Sequence, residues 1–397
     1  MMDLPNETLT TIFNDLPPST LAILSCVSFR FKAVAERVLY SSIHITDLLS
    51  ESSPLPLKTL WWCDAMRRRG HLRETTRKLH VRWQADRTTH PPHYLVNSCE
   101  RLGDIVRLLD CLESIDIFLG PANLIPRHEL RSHPHTPPMH PIERVIRGCR
   151  FSHLRYCSLG AEWAKGVQPY THILLFFLAS LTPLRQLRLS DLHSDSALVM
   201  EGLQPHALPH LSSFRGSADA AAAVMPGRPV QYLSLTGQDS DVNRDNLTRM
   251  TCTSLPLKCL DLSAMSIRPL LLRNISPYLP TIESLKVKLA LRHTLHYAFS
   301  GIVSNSHLFV TSTFICSFFE QRILSGLSEA LNDFHQLSFL DLSPTGIDGV
   351  GRADSLEELE LCRVWSRGCP SLSRIIFPSQ TEWALDSRHV WSQVENE

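Results

Sequence analysis

The sequence predicts an α/β protein in which an N-terminal bundle of three short helices precedes an irregular solenoid of strand–helix repeats with a curved parallel sheet. Apolar residues at helical spacing fill roughly the first forty positions. A short apolar motif then recurs along the chain, and several successive copies lie 25 to 27 residues apart. With 43% hydrophobic and 20% charged residues among 397, the chain has the composition of a folded globular protein. An ordinary doubly wound α/β domain is the alternative.

The first segment, residues 4–45, has the pattern of three helices. One helical face repeats at i, i+3, i+4 and i+7 and consists of Leu9, Ile12, Phe13 and Leu16. Pro17 and Pro18 end this helix, Ser19 or Thr20 can cap the second, and Ser28 can cap the third. A unit of roughly 40–50 residues rarely buries enough surface to be stable alone, so we expect the bundle to pack on its neighbour.

The same segment carries the residue pattern of a known family. The pattern runs Leu4-Pro5-x-Glu7-x-Leu9-x-x-Ile12-Phe13, followed by Leu16, Leu21, Leu24, Val27, Phe31 and Leu39-Tyr40. It resembles the F-box. Family members usually carry a Cys-Arg-Arg-Trp-like run where this chain has Ser28-Phe29-Arg30-Phe31. An ordinary helical subdomain that packs on the rest of the chain is the alternative.

The resemblance implies a partner and a set of contact residues. F-box proteins dock a Skp-type adaptor and, through it, a cullin, which makes them substrate receptors of ubiquitin ligases. The positions that match the family's core or adaptor contacts are Leu4, Pro5, Leu9, Ile12, Leu24, Val27 and Phe31. The pattern does not divide these residues between the two roles.

The rest of the chain divides by composition into three further parts. We predict a linker and helix over residues 46–71, a repeat array over 72–380 and a tail over 381–397, after an F-box over 1–45. The linker is rich in Ser and Pro, and a helical pattern begins at Leu57. A basic run starts at Arg67-Arg68-Arg69, and a solvated helix face is a commoner explanation for it than a nucleic-acid site.

The repeats share the motif apolar-x-x-apolar-x-apolar. Copies begin at Leu112, Leu154, Leu184, Val230, Leu257, Ile282, Leu337, Leu356 and Leu372, with degenerate versions over residues 76–81 and 211–216. The last two apolar positions of each copy are two residues apart, as one face of a strand requires. Helix-like stretches separate the copies, including 99–111, 141–148, 171–181, 196–203, 243–250 and 267–278.

This period is that of leucine-rich repeats, in which each unit supplies one strand and one helix. Stacked units form a parallel sheet with helices on its outer side. The repeats lack the regular Asn or Cys of that class, and they resemble the divergent arrays found behind many fungal F-boxes. Trp383 and Trp391 resemble the Trp-containing tail of those proteins.

Two segments interrupt the period. Residues 121–141 are rich in Pro and His, and we expect an extended loop there. Its histidines, His128, His133, His135 and His140, lack the rigid scaffold that a metal site needs, so we expect no metal. Residues 303–321 are apolar and β-prone, and they are either a degenerate repeat or translated intron sequence.

Charge and cysteine usage favour an intracellular binding protein. Lys plus Arg and Asp plus Glu are both 39, so the net charge indicates neither nucleic acid nor an anionic membrane as a partner. The longest apolar runs fall short of the ~18–20 residues that span a bilayer. None of the eleven cysteines has Cys-x-x-Cys spacing, which favours buried free thiols. We expect a soluble protein of the cytoplasm, the nucleus or both.

The sequence has no motif of a common catalytic class, so we expect a receptor without its own enzymatic activity or cofactor. Phosphate-binding, dinucleotide-binding, G-x-S-x-G and H-E-x-x-H patterns are all missing. We expect the target protein to contact polar strand positions that alternate with the Leu-x-Leu core: Arg188, Ser234, Asp261, Lys286, Asp341 and Glu360. Their mixed charges indicate no substrate class. A leucine-rich-repeat scaffold with no role in ubiquitin transfer is the alternative.

Overall fold

The computed structural model describes residues 4–85, 95–123, 139–162, 169–192, 200, 202–290, 327–345 and 355–394. Contacts divide the chain into two compact units, residues 1–211 and 212–397. Most of the predicted Pro- and His-rich loop, the predicted 196–203 helix except for isolated residues, and the proposed insert at 303–321 lie outside the described residues.

Three helices open the first unit: α1 (Asn6–Asn14), α2 (Pro18–Leu24) and α3 (Phe29–Leu39). Ser28 caps α3 as predicted, because its Oγ accepts a hydrogen bond of 3.1 Å from the amide of Phe31. The cap of α2 is Pro17 and not Ser19 or Thr20. The reason is that Pro18 is well suited to the first turn of a helix, where its missing N–H needs no partner.

A five-stranded parallel sheet follows the bundle in the first unit. Its strands are β1 (Ser42–Leu49), β2 (Lys78–Ala85), β3 (Ser114–Phe118), β4 (Tyr156–Gly160) and β5 (Gln186–Leu189), and they neighbour one another in chain order. The helices between them are α4 (Leu57–Arg68), α5 (Leu95–Val106), α6 (Pro141–Ile146) and α7 (His172–Ala179), with 3₁₀ turns at Gly70–Leu72 and Gly120–Asn123. Central apolar positions of successive motifs pair directly: Leu79, Ile115, Cys157 and Leu187.

Strand β1 was not predicted, because the sequence placed its residues in the bundle and the linker. It pairs with β2 in parallel from Ser42 opposite Lys78 onward. Its buried face includes Asp47, whose carboxylate accepts hydrogen bonds from the amides of Lys58 and Thr59 and from the Thr59 hydroxyl, at 2.6–3.0 Å. The sheet therefore begins before residue 72, and Asp47 ties its first strand to the start of α4.

The second unit continues the same architecture with eight strands. They are β6 (Ser213–Gly216), β7 (Tyr232–Thr236), β8 (Cys259–Ile267), β9 (Ser284–Leu289), β10 (Phe339–Asp341), β11 (Arg374–Ile376), β12 (Glu382–Leu385) and β13 (Trp391–Gln393). The described helices with defined bounds are α8 (Ala218–Val224), α9 (Arg244–Met250), α10 (Pro269–Ile275) and α11 (Ser355–Gly368), and residues 327–332 are also helical. Short 3₁₀ turns lie at Asp239–Asp241 and Ser276–Tyr278. Strands β6 to β11 are parallel, whereas β12 and β13 form an antiparallel end to the sheet.

These observations confirm the predicted α/β class, a helical bundle followed by strand–helix repeats. Within each unit the strand order follows chain order without the reversal of a doubly wound sheet. One predicted strand is wrong. The motif that begins at Leu356 lies in α11, where Leu356 is exposed and the buried residues fall at i, i+3, i+4 and i+7: Glu358, Leu361, Cys362 and Trp365.

Candidate functional site

The N-terminal bundle has a core of its own. The buried residues are Leu9, Phe13, Leu21, Val34 and Ala35, and the partly buried ones packed against them are Leu16, Leu24, Phe31, Val38 and Leu39. The rings of Phe13 and Phe31 meet edge to face with centroids 5.6 Å apart, which joins α1 to α3. This core accounts for fewer apolar residues than the segment contains.

The remaining large apolar side chains of the bundle face solvent. They are Leu4 (51% exposed), Ile12 (46%), Ile23 (68%), Val27 (62%) and Phe29 (93%), and we call them the apolar bundle surface. Arg30 fixes the start of α1 beside α3, because its Nε donates to Oδ1 of Asn6 at 2.9 Å and its Nη2 donates to the carbonyl of Leu4. Exposed apolar side chains concentrated on so small a bundle are typical of a protein-binding site.

The structure separates the seven predicted contact residues by exposure. Leu4, Pro5, Ile12 and Val27 are exposed, and Leu24 and Phe31 are half-buried against the core. Leu9 is only 4% exposed and belongs to the core of the bundle, which is one of the two roles that the sequence pattern left open. The sequence analysis missed Ile23 and Phe29. The i, i+4 spacing of Ile23 and Val27 beyond the core positions of α2 could have indicated the former.

The strands of the first unit have a face away from the apolar core whose residues are exposed or half-buried, apart from Ser158 and Gly160 of β4, which are buried. We call it the first strand face. It comprises the alternate residues of β1 to β5: Ser42, His44, Thr46, Leu48, Lys78, His80, Arg82, Gln84, Ser114, Asp116, Phe118, Tyr156, Ser158, Gly160, Gln186 and Arg188. Nδ1 of His80 lies 3.1 Å from Oδ2 of Asp116, and the guanidinium of Arg82 lies 4.9 Å from the ring centroid of Phe118. The predicted residue Arg188 is half-buried at one end of this face.

The alternate residues of β6 to β12 at the same positions of their repeats form the second strand face. Three of the predicted contact residues on it are buried. Ser234, Asp261 and Asp341 are at most 5% exposed, so the expectation that they are solvent-exposed is wrong. Ser234 Oγ donates to Asp261 at 2.9 Å. Lys286 remains half-exposed, but its Nζ lies 2.8 Å from Oδ2 of Asp341. Short polar side chains on neighbouring strands satisfy one another, which is why they are withdrawn from solvent.

Glu360 does not lie on a strand face. It belongs to α11, where its carboxylate pairs with Arg363 one turn later at 3.3 Å. Its assignment to a target-binding strand is therefore wrong.

The comparison with protein families bears on the bundle. The F-box-like family matches residues 1–46. These residues form an F-box-like domain. The apolar bundle surface is accordingly the exposed apolar surface of this F-box.

Two solved structures are similar to this chain. The leucine-rich repeat-containing protein LegL7 from Legionella pneumophila is 14% identical with a TM-score of 0.38, over 79% of this chain and 92% of that chain. A chain of the Rad7 and Elc1 complex in yeast is 14% identical with a TM-score of 0.34, over 93% of this chain and 87% of that chain. A search of curated proteins found no significant match.

The F-box is joined to the sheet by the polypeptide chain itself and by ion pairs. Helix α3 leads directly into β1. Glu36 of α3 is buried, and its carboxylate pairs with Arg69 and with His71, each at 3.2 Å. A buried carboxylate held by two partners that follow α4 restricts rotation of the F-box against the first strands.

The basic run after α4 is explained by such contacts. Arg69 pairs with Glu36, Arg73 donates to the carbonyls of Met66 and Arg67, and Arg77 lies 3.4 Å from Glu113. These interactions favour the solvated-face interpretation of the run over a nucleic-acid site.

The described residues contain no group of His, Cys, Asp and Glu that could hold a metal ion. His128, His133 and His135 lie outside them, and His140 is buried, with Nε2 3.1 Å from Oδ2 of Asp191.

Burial raises the pKa of the Cys63, Cys99 and Cys149 thiols to about 12, so these thiols are protonated at neutral pH. No described helix combines the length and the apolarity needed to cross a bilayer.

Proposed function

We propose that this chain is the substrate receptor of a Skp–cullin–F-box-type ubiquitin ligase. The observation that carries the proposal is the apolar F-box surface, where five large apolar side chains between 46% and 93% exposed stand on a bundle that has its own core. Leaving such side chains in water costs free energy that a partner's apolar surface recovers. A Skp-type adaptor is the partner that the F-box implies, and a cullin is recruited through it.

In this role the chain holds its target and leaves the chemistry to its partners. The receptor raises the effective concentration of the target near the ubiquitin-conjugating enzyme that the complex carries. Such delivery needs a fixed geometry between the adaptor site and the target site. The Glu36 pairs with Arg69 and His71 support that geometry for the first unit.

The target site in this proposal is the repeat array. Arg188 and Lys286 are the predicted contact residues that keep solvent-exposed surface on a strand. Ser234, Asp261 and Asp341 are buried in the free chain and support the face from within.

Affinity purification of the full-length chain with adaptor and cullin tests the proposal. Ile12→Asp places a charge on the apolar F-box surface, and burying an unpaired charge costs several kcal/mol. We therefore expect this variant to lose both partners. Thr11→Asp is the matched control, because Thr11 is an exposed polar neighbour on the same helix. Equal recovery of adaptor with wild type and Ile12→Asp, at equal thermal stability, would refute the docking site.

A further inference from the structure

The charges of the first strand face are predominantly of one sign. Lys78 and Arg82 lie on β2 and Arg188 lies on β5, and Asp116 on β3 is the one carboxylate on this face among the described residues. Lys78 and Arg82 are exposed and Arg188 is half-buried. A face with three cations and one anion attracts acidic groups.

None of the three cations is neutralised by a carboxylate within the described part of the chain. Arg82 lies over the Phe118 ring instead, at 4.9 Å. The carboxylate of Asp116 is already engaged by His80 at 3.1 Å. Arginine beside an aromatic ring is a side-chain combination that is enriched at the centres of protein interfaces.

The second strand face differs in that three carboxylates, those of Asp261, Asp341 and Glu382, offset its cations. Lys286 pairs with Asp341 at 2.8 Å, and Arg374 pairs with Glu382 at 2.6 Å. Asp261 accepts hydrogen bonds from Tyr232, Ser234 and Ser263. Arg215 and Lys288 lie on the second face without an ion pair in the described residues. What distinguishes the first face is therefore its ratio of cations to carboxylates, three to one against four to three on the second face.

The N-terminal ends of the strands next to this face are also basic. The residues that immediately precede β2, β4 and β5 are Arg77, Arg155 and Arg185, whereas Glu113 precedes β3. Arg155 has no carboxylate partner among the described residues, and Glu113 pairs with Arg77 at 3.4 Å. The positive potential therefore extends beyond the N-terminal ends of the strands that carry Lys78 and Arg188.

We propose that the first strand face binds an extended acidic segment of the target protein, whose carboxylates contact Lys78, Arg82 and Arg188. Lys78 and Arg82 are four residues apart on one strand, or about 13 Å. Arg188 is three strands away, or about 14 Å. The three cations lie at the corners of a triangle, so two carboxylates about four residues apart on an extended run would reach Lys78 and Arg82, and a bend in the segment would bring a further carboxylate to Arg188. This inference rests on the proposed function, because it names the class of target that the receptor holds.

Fluorescence anisotropy with a labelled oligoglutamate of about twelve residues tests the inference on the full-length chain, with and without adaptor. Such a peptide can cross all five strands. We expect wild type to bind it, to bind more weakly as salt is raised, and not to bind oligolysine. The double variant Lys78→Glu/Arg82→Glu should weaken binding by about tenfold or more. If the double variant fails to fold, Lys78→Glu alone is compared.

Lys288→Glu is the matched control, because Lys288 is a half-buried lysine of the second strand face without an ion pair in the described residues. We expect it to change the affinity less than about twofold. Equal affinities of wild type and the Lys78 variants would overturn the inference, and so would an equal loss in Lys288→Glu. Adaptor recovery is measured in the same samples. Loss of adaptor with retained oligoglutamate binding would count against the proposed function alone.

Discussion

Asp261 lies on β8 with 5% of its surface exposed, and its carboxylate accepts hydrogen bonds from Tyr232 and Ser234 of the preceding strand and from the amide of Ser263. Burial raises the pKa of this carboxyl, but the hydrogen bonds outweigh burial and hold the pKa below its ordinary value. Burial of the Tyr232 hydroxyl, together with the neighbouring Asp261 carboxylate, raises the pKa of Tyr232 to about 12. Asp261 thus links two repeats through its ionised form.

Asp261→Asn tests this link. A pKa that is lower in the folded than in the unfolded state stabilises the fold above the ordinary carboxyl pKa of about 4, and this contribution is lost as the pH falls through the folded-state value. We expect the variant to be less stable than wild type by about 1–3 kcal/mol at pH 7. The difference should narrow at about pH 3.5, because this pH lies below the ordinary carboxyl pKa of about 4 and the advantage of the ionised folded state shrinks there.

Urea unfolding at the two pH values measures the effect. Asp110→Asn serves as the control, because Asp110 is exposed and its side chain makes no hydrogen bond among the residues that the structure describes. A destabilisation of Asp261→Asn that is the same at both pH values would show that shape, and not charge, is what matters at this position.

At the scale of secondary-structure elements, the repeat period located most strands because buried apolar residues at i and i+2 repeat in register. Helix α11 was misread, since Leu356, Leu359 and Leu361 satisfy the strand motif by chance. The buried face of α11 includes Glu358, and a motif defined by apolar residues does not include a charged residue. Glu358 is buried, and its carboxylate accepts hydrogen bonds from the hydroxyl of Ser379 and the indole N–H of Trp383. Strand β1 escaped prediction for a related reason, since Asp47 interrupts its buried face.

Helices α5 and α6 pack closely at Gly103. A Cβ atom there would lie 2.8 Å from the carbonyl oxygen of Arg144 and 3.0 Å from that of Val145. Gly→Ala inside a helix normally gains about 1 kcal/mol, whereas overpacking costs about 1–3 kcal/mol. Because the opposing atoms are backbone, we expect overpacking to win, so that Gly103→Ala lowers the melting temperature.

The control for this substitution is Gly70→Ala, where nothing lies within 4 Å of the added Cβ. We expect it to leave the melting temperature nearly unchanged. Circular dichroism during heating measures both variants. A Gly103→Ala protein as stable as wild type would mean that α5 and α6 can separate at no cost.

At the scale of the whole molecule, the sequence indicated the division into an F-box and a repeat array, but not the use of each surface. The F-box pattern could not separate Leu9, which is buried, from Ile12, which is exposed, because both are apolar residues of one amphipathic helix. Charges on the strands likewise looked mixed in sequence. The structure distinguishes the two strand faces, because carboxylates offset most cations of the second face, as in the ion pairs of Lys286 and Arg374, whereas the first face has a single carboxylate.

The central claim is that the exposed apolar residues of the F-box bind a Skp-type adaptor. Isothermal titration of purified full-length chain with purified adaptor tests it most directly. We predict tight binding by wild type and by Thr11→Asp, and a loss of about 100-fold or more for Val27→Asp, whose side chain is 62% exposed in the free chain. No measurable binding by wild type, or equal affinities for wild type and Val27→Asp, would contradict the claim.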